Sequence, residues 1–146
     1  MIYADTSFLA SLYLQDANSA DAQRWFTANS QPILLSRLSE LELSNACRLS
    51  VFRGWITERQ SQIVLAAIED DLRKDVLIRR AFEADEIFTL SQSLSSQHTL
   101  RTGNRTLDIM HIALAVHSEL STFATFDKRQ SVLAKECALD VVPFIS

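Results

Sequence analysis

Asp5, Glu42, Asp108 and Asp127 are the residues whose types and surroundings suit them for chemistry. Asp108 stands in Leu107–Val116, LDIMHIALAV, where only Asp108 and His111 are polar. A helix that is apolar on all sides is normally buried. A carboxylate in its first turn is costly there unless a cation or several donors compensate it. Asp127 follows Ser121–Phe126, a strand-like run rich in Thr and Phe, and Asp5 follows the short apolar strand Ile2-Tyr3-Ala4. Glu42 lies near the start of a long helix, in SRLSELELSNA. Each acid also has a plainer role. Asp5 and Asp127 can cap helices, Ser39-Glu40-Leu41-Glu42 fits a capping box, and Asp108 favours the positive end of a helix. Taken singly, capping is the simpler reading for Glu42 and Asp127. It is weaker for Asp5, which ends a strand, and for Asp108, which precedes so apolar a helix.

Taken together the four acids point to a metal. Carboxylates in contact raise one another's pKa, and a hard divalent cation relieves that repulsion. Mg²⁺ takes one or two carboxylates directly and keeps several waters. With no His/Cys ligand set, zinc does not fit. A Mg²⁺ or Mn²⁺ ion held this way suits the polarisation of a phosphodiester and the activation of water.

The elements that must position these acids can be read in order. After the strand Ile2-Tyr3-Ala4, Thr6 and Ser7 open a helix, Phe8 to Leu14. A second helix runs from about Ser19 to Ala28, with Trp25 and Phe26 toward the core. Pro32–Leu35 is a buried strand, and Ser36 or Ser39 caps a long helix reaching Phe52. Gly54 ends that helix and Thr57 caps the next, Glu58 to about Leu72. Asp75–Ile78 reads as a short edge strand, Glu83 to Ser96 as a helix, and Gln97 to Arg105 as a polar loop holding Gly103. The central apolar helix and the Ser121 strand follow. A last helix runs from Lys128 to Ala138, and Val141-Val142 forms a closing strand. Strands alternating with helices imply an α/β fold with a mostly parallel sheet. Ligands of such sheets bind beyond the carboxyl ends of the strands, where Asp5 and Asp127 fall. Glu42 and Asp108 belong to first turns of helices entered from that edge.

At 146 residues, the chain reads as a single domain spanning 1–146. With 47% apolar residues it can build one good core. Only two glycines and two prolines interrupt it, so helices should dominate. No apolar run reaches membrane-spanning length, and MIYADTSFLA has no basic flank like that of a signal peptide. Cys47 and Cys137 read as small core residues in a reducing compartment, which places the protein in the cytoplasm. The net charge of −4 argues weakly against non-specific nucleic-acid binding. It leaves room for a nuclease, since a carboxylate metal site accounts for that much charge.

The segments YADTSFL, SRLSELELSNA, RTLDIMHIALA and TFATFDKR resemble, in order and spacing, the four acidic motifs of PIN domains. The resemblance covers nearly the whole chain and is strongest to VapC-type ribonuclease toxins of type II toxin–antitoxin pairs. It implies a central parallel sheet of four or five strands flanked by helices. It also implies a Mg²⁺- or Mn²⁺-dependent endoribonuclease leaving 5′-phosphate and 3′-hydroxyl ends, with a cognate antitoxin as partner and a homodimer as its assembly. Asp5, Glu42, Asp108 and Asp127 fall on the family's acidic positions. Thr6 or Ser7 falls on its hydroxyl position, and Thr125 on the small polar residue before the last acid. Some relatives carry a further acid after the last motif, where Lys128 and Arg129 stand here.

Among other residues, His111 reads as a buried histidine bonded to the backbone, or more sharply as a general base. His98 and His117 suggest no role. Arg37, Arg101, Arg105, Lys128 and Arg129 form a candidate basic rim for RNA phosphates, with a plain solvated surface as the alternative. Glu69-Asp70-Asp71 reads as a solvated helix face. Phe52, Trp55 and Ile56 are either core or part of a dimer or antitoxin interface. Two other functions keep the same fold: a catalytically silent RNA-binding or scaffold module, and a PIN nuclease of RNA processing. A receiver-like domain would need an Asp ending a central strand, which Pro32–Ser36 lacks. An aspartate-nucleophile phosphatase would need Asp-x-Asp after the first strand, where Asp5-Thr6-Ser7 stands.

Overall fold

In the computed structural model, which describes residues 1–143, the chain alternates strands and helices throughout. Its elements are β1 (Ile2–Ala4), α1 (Thr6–Tyr13), α2 (Ser19–Asn29), β2 (Ile33–Leu35), α3 (Arg37–Phe52) and α4 (Glu58–Arg73). They continue as β3 (Leu77–Arg79), α5 (Ala84–Thr102), α6 (Thr106–His117), β4 (Thr122–Ala124), α7 (Lys128–Glu136) and β5 (Asp140–Val142). The five strands form one parallel sheet in the order β3-β2-β1-β4-β5. The sheet is thus at the upper end of the expected four or five strands.

Each strand has three residues, and β1 and β2 are wholly buried, as expected where helices cover both faces. The two faces follow the strand period of two. Tyr3, Leu34, Phe123 and Val141 pack with α5, α6 and α7 through Ile87, Ile112 and Leu133. Ile2, Ala4, Ile33, Leu35 and Val142 pack on the other face with Phe8, Leu9, Ala22, Leu43 and Ile68 of α1 to α4. Trp25 and Phe26 do lean on this second core, though only partly buried. Cys47 is buried, Cys137 is half-buried, and both are free.

Strand order reverses at the centre. From β1 the chain moves through β2 to β3 at one edge, then returns to lay β4 against the other side of β1. Such a switch point opens a crevice beyond the strand ends. Asp5 directly follows β1, and Asp127 lies three residues past β4.

Three local expectations are corrected. The stretch from Gln97 is helix, not loop: α5 continues to Thr102 and stops at Gly103, which is left-handed at φ 64. Its polar last turns are held from outside, by His98 and Arg101 pairing with Glu136 of α7. The cap of α3 is Ser36, which accepts from Ser39 N–H, so Ser39 is inside the helix and Glu42 is not its capping-box partner. The edge strand begins at Leu77 rather than Asp75, because Asp75 is left-handed at φ 57. Thr57 does cap α4, in a reciprocal box with Gln60. No helix of the described residues is long and apolar enough to cross a membrane.

Candidate active site

Asp5 is fully buried at the end of β1. Its Oδ1 accepts from Ser7 Oγ at 2.6 Å and from Phe8 N–H at 3.0 Å, which caps α1, and its Oδ2 accepts from Thr125 Oγ1 at 2.5 Å. The same two hydroxyls accept backbone donors from the β4–α7 turn, Phe126 N–H on Ser7 and Asp127 N–H on Thr125, both at 2.9 Å. Ser7 and Thr125 therefore tie the exits of β1 and β4 together through Asp5. Burial nevertheless dominates, and it pushes the Asp5 carboxyl above its usual range despite these three donors and the nearby His111.

Glu42, one and a half turns into α3, faces the same crevice. Its Oε2 accepts from Thr6 Oγ1 at 2.8 Å and is bonded to His111 Nε2 at 2.5 Å. Partial burial acts to raise the Glu42 carboxyl, but the bond and charge of His111, with the Thr6 hydroxyl, outweigh it and hold it below the usual range. The other ring nitrogen of His111, Nδ1, lies 2.8 Å from the Tyr3 hydroxyl. Histidine 111 is indeed buried, but its partners are side chains and not the backbone. Tyr3 Oη also meets Ser39 Oγ at 3.3 Å and Ser36 Oγ at 3.4 Å, and burial pushes its phenol up. Tyr3 is a residue of this cluster that is absent from the candidates drawn from the sequence. The signal was present: a buried tyrosine hydroxyl normally finds a partner, and this one interrupts an otherwise apolar strand.

Asp108 lies one turn before His111 on α6, on the same face. It is 7% exposed. Its Oδ2 accepts from Arg105 N–H at 3.0 Å and lies 3.6 Å from Arg105 Nε. Asp127 is half-buried and caps α7, accepting from Arg129 N–H and Gln130 N–H on Oδ1. Asp5 and Asp127 both cap the helices that follow them. Of the basic residues, Arg37, Arg105, Lys128 and Arg129 are exposed. Arg101 is exposed too, but its guanidinium is engaged with Glu136 at 3.2 Å. Asp71 in the acidic run accepts the Tyr13 hydroxyl at 2.5 Å, so that face is not purely solvated.

Among the described residues, no group of three His, Cys, Asp or Glu side chains converges closely enough to hold a metal ion. The donor chemistry does suit a hard cation. Glu42, Asp108 and Asp127 take their hydrogen bonds on one carboxylate oxygen each, Oε2, Oδ2 and Oδ1 respectively. The arrangement fits an ion bound by one or two carboxylates and its own waters. It does not fit a closed cage of carboxylates.

No curated protein matches the sequence. Solved structures that resemble the fold include the following two. Mycobacterium tuberculosis VapC20, a sarcin–ricin loop cleaving toxin, is 22% identical at a TM-score of 0.69, over 90% of this chain and 94% of its own. FitAcB from Neisseria gonorrhoeae is 17% identical at a TM-score of 0.62, over 98% and 97%. Residues 2–136 match the PIN domain family. That span takes in all five strands but the last and all four of the acids, and the chain belongs to the PIN domain family.

Proposed function

We propose that the protein is a Mg²⁺- or Mn²⁺-dependent endoribonuclease acting as the toxin of a type II toxin–antitoxin pair. The observation that carries this reading is the placing of Asp5 by Ser7 and Thr125, and of Glu42 by the neighbouring Thr6, beyond the strand ends of a PIN-family fold. Asp5, Glu42, Asp108 and Asp127 would hold the ion directly or through water. When bound, the ion supplies a Lewis acid for the phosphodiester and a water of lowered pKa. The chain's own residues do the rest. Ser7 and Thr125 fix Asp5 by donating to both its oxygens, and Thr6 donates to Glu42. Arg37, Arg105, Lys128 and Arg129, all exposed, would supply the cations that phosphates need. Likeness in fold to a sarcin–ricin loop cleaving toxin supports the toxin role. It also supports an antitoxin as partner, which would silence the enzyme by covering the acidic crevice with a basic side chain. Phe52 and Trp55, 86% and 70% exposed, are candidate contacts of a homodimer.

The test uses purified chain freed of any partner protein. It should cut structured RNA with Mg²⁺ or Mn²⁺, stop with EDTA, and lose cleavage in Asp108→Asn. Cleavage that survives chelation, or is unchanged in that variant, rejects the metal mechanism. RNA binding without cleavage under any divalent ion would favour the silent module instead.

A further inference from the structure

We propose that Tyr3 and His111 form a positioning pair that orients Glu42, an inference that rests on the reading of Glu42 as part of a metal site. His111 has a 2% exposed side chain with both ring nitrogens engaged, Nδ1 with Tyr3 Oη and Nε2 with Glu42 Oε2. An ionised carboxylate only accepts hydrogen bonds, so Nε2 carries the hydrogen and donates it. Nδ1 is pinned in turn by the tyrosine hydroxyl, whose own place is set by Ser36 and Ser39 at the start of α3. Three elements therefore fix one imidazole: β1 through Tyr3, α3 through the serines, and α6 through its backbone.

A buried histidine that needed only satisfied nitrogens would be served by backbone carbonyls. This one bonds instead to a partly exposed carboxylate. The Glu42 side chain is 25% exposed, so water can solvate it, and Thr6 already donates to it. The second donor from His111 falls on the same oxygen, Oε2, while among the described residues Oε1 accepts no hydrogen bond. Two donors on one oxygen and none on the other turn the carboxylate and hold it turned. Outer partners of metal-binding carboxylates behave this way, and losing one typically costs about ten- to a hundredfold in metal affinity or activity.

The experiment titrates Mn²⁺ into the full chain, following the free-ion electron paramagnetic resonance signal, and measures kcat and KM on a cleaved RNA. His111→Leu should weaken Mn²⁺ binding by about ten- to a hundredfold and lower kcat with little change in KM. His111→Gln, whose amide can still donate, should recover most of the loss. Tyr3→Phe, which removes one oxygen, should move both readings in the same direction by less. Circular dichroism checks folding, and should His111→Leu fail to fold, Tyr3→Phe decides. Wild-type Mn²⁺ affinity in the folded His111 and Tyr3 variants, with weakened binding in Glu42→Gln, overturns the positioning pair and leaves the metal reading standing. Absent Mn²⁺ binding by the wild type, or no effect of Glu42→Gln, overturns both.

Discussion

Two carboxylates that share a crevice here are displaced in opposite directions, and each direction has a local cause. Asp5 is raised because burial outweighs its donors, and Glu42 is lowered because His111 and Thr6 outweigh its partial burial. An acid raised by folding contributes stability that is present below its unfolded pKa, about 3.9 for Asp, and lost as pH rises through the folded value. Above that unfolded value, Asp5 therefore weighs against the fold. Asp5→Asn should melt higher than wild type in EDTA at pH 7, with the gap closing as pH approaches about 4. Glu42 has the opposite sign. Its contribution is present above about 4.3, the unfolded Glu value, and is lost as pH falls through the lower folded value. Glu42→Gln should thus melt lower than wild type at pH 7 and converge with it in acid. Melts of the three proteins from about pH 3 to 8 decide the matter, and shifts of one sign for both variants at pH 7 would remove this electrostatic account. Added Mg²⁺ should narrow the Asp5→Asn gap. A ligand at a hundredfold excess over its dissociation constant stabilises the native state by about 2.7 kcal/mol, and the variant gains less of it.

Helix α5 is the element whose extent depends most on the rest of the molecule. Its last turns, from Gln97 to Thr102, are polar on every side except Leu100, which is 99% exposed. Local periodicity has nothing to detect there, and that is why a loop was expected. The turns are helical because Glu136, on α7, receives His98 at 2.5 Å and Arg101 at 3.2 Å. The stop is local, at Gly103, whose left-handed backbone reorients the chain toward Arg105 and Asp108. A methyl group added at Gly103 would meet nothing within 4 Å, so Gly103→Ala isolates the backbone cost. That cost should be about 1–2 kcal/mol, read as a shift in urea midpoint without a change in slope. A neutral result would mean the turn has another conformation. The parts that were legible are those with a local cause. The apolar strands ending at Asp5 and before Asp127, the Thr57 cap and the all-round apolar α6 could all be read from neighbouring residues. The assignment of Glu42 away from Ser39, and the Tyr3–His111 link, could not. Each depends on which residues of distant segments meet beyond the sheet, and composition along the chain does not encode that.

At the scale of the whole molecule, a net charge of −4 and an acidic crevice repel the RNA that the proposed function requires. Binding must then come from cations close to the crevice rather than from the overall field. The five basic residues read from the sequence are not equivalent in the fold. Arg101 is already paired with Glu136, and Arg105 Nε lies 3.6 Å from Asp108 Oδ2. Lys128 and Arg129 are exposed in the first turn of α7, directly after Asp127, and take part in no ion pair among the described residues. A phosphate that meets them releases counterions, which gives a dependence of log K on log salt of about −0.7 per contact for a single strand. The double variant Lys128→Gln/Arg129→Gln should therefore flatten that dependence by about 1.4 and weaken binding at low salt. Arg101→Gln should change the slope by much less, since its charge is already neutralised by Glu136. The measurement is fluorescence anisotropy of a labelled single-stranded RNA across a salt series, made in an Asp108→Asn background so that the probe stays intact. Equal flattening by Arg101→Gln would mean that its pairing with Glu136 yields to phosphate. An unchanged slope in the double variant would move the RNA path away from α7, toward Arg37 at the start of α3.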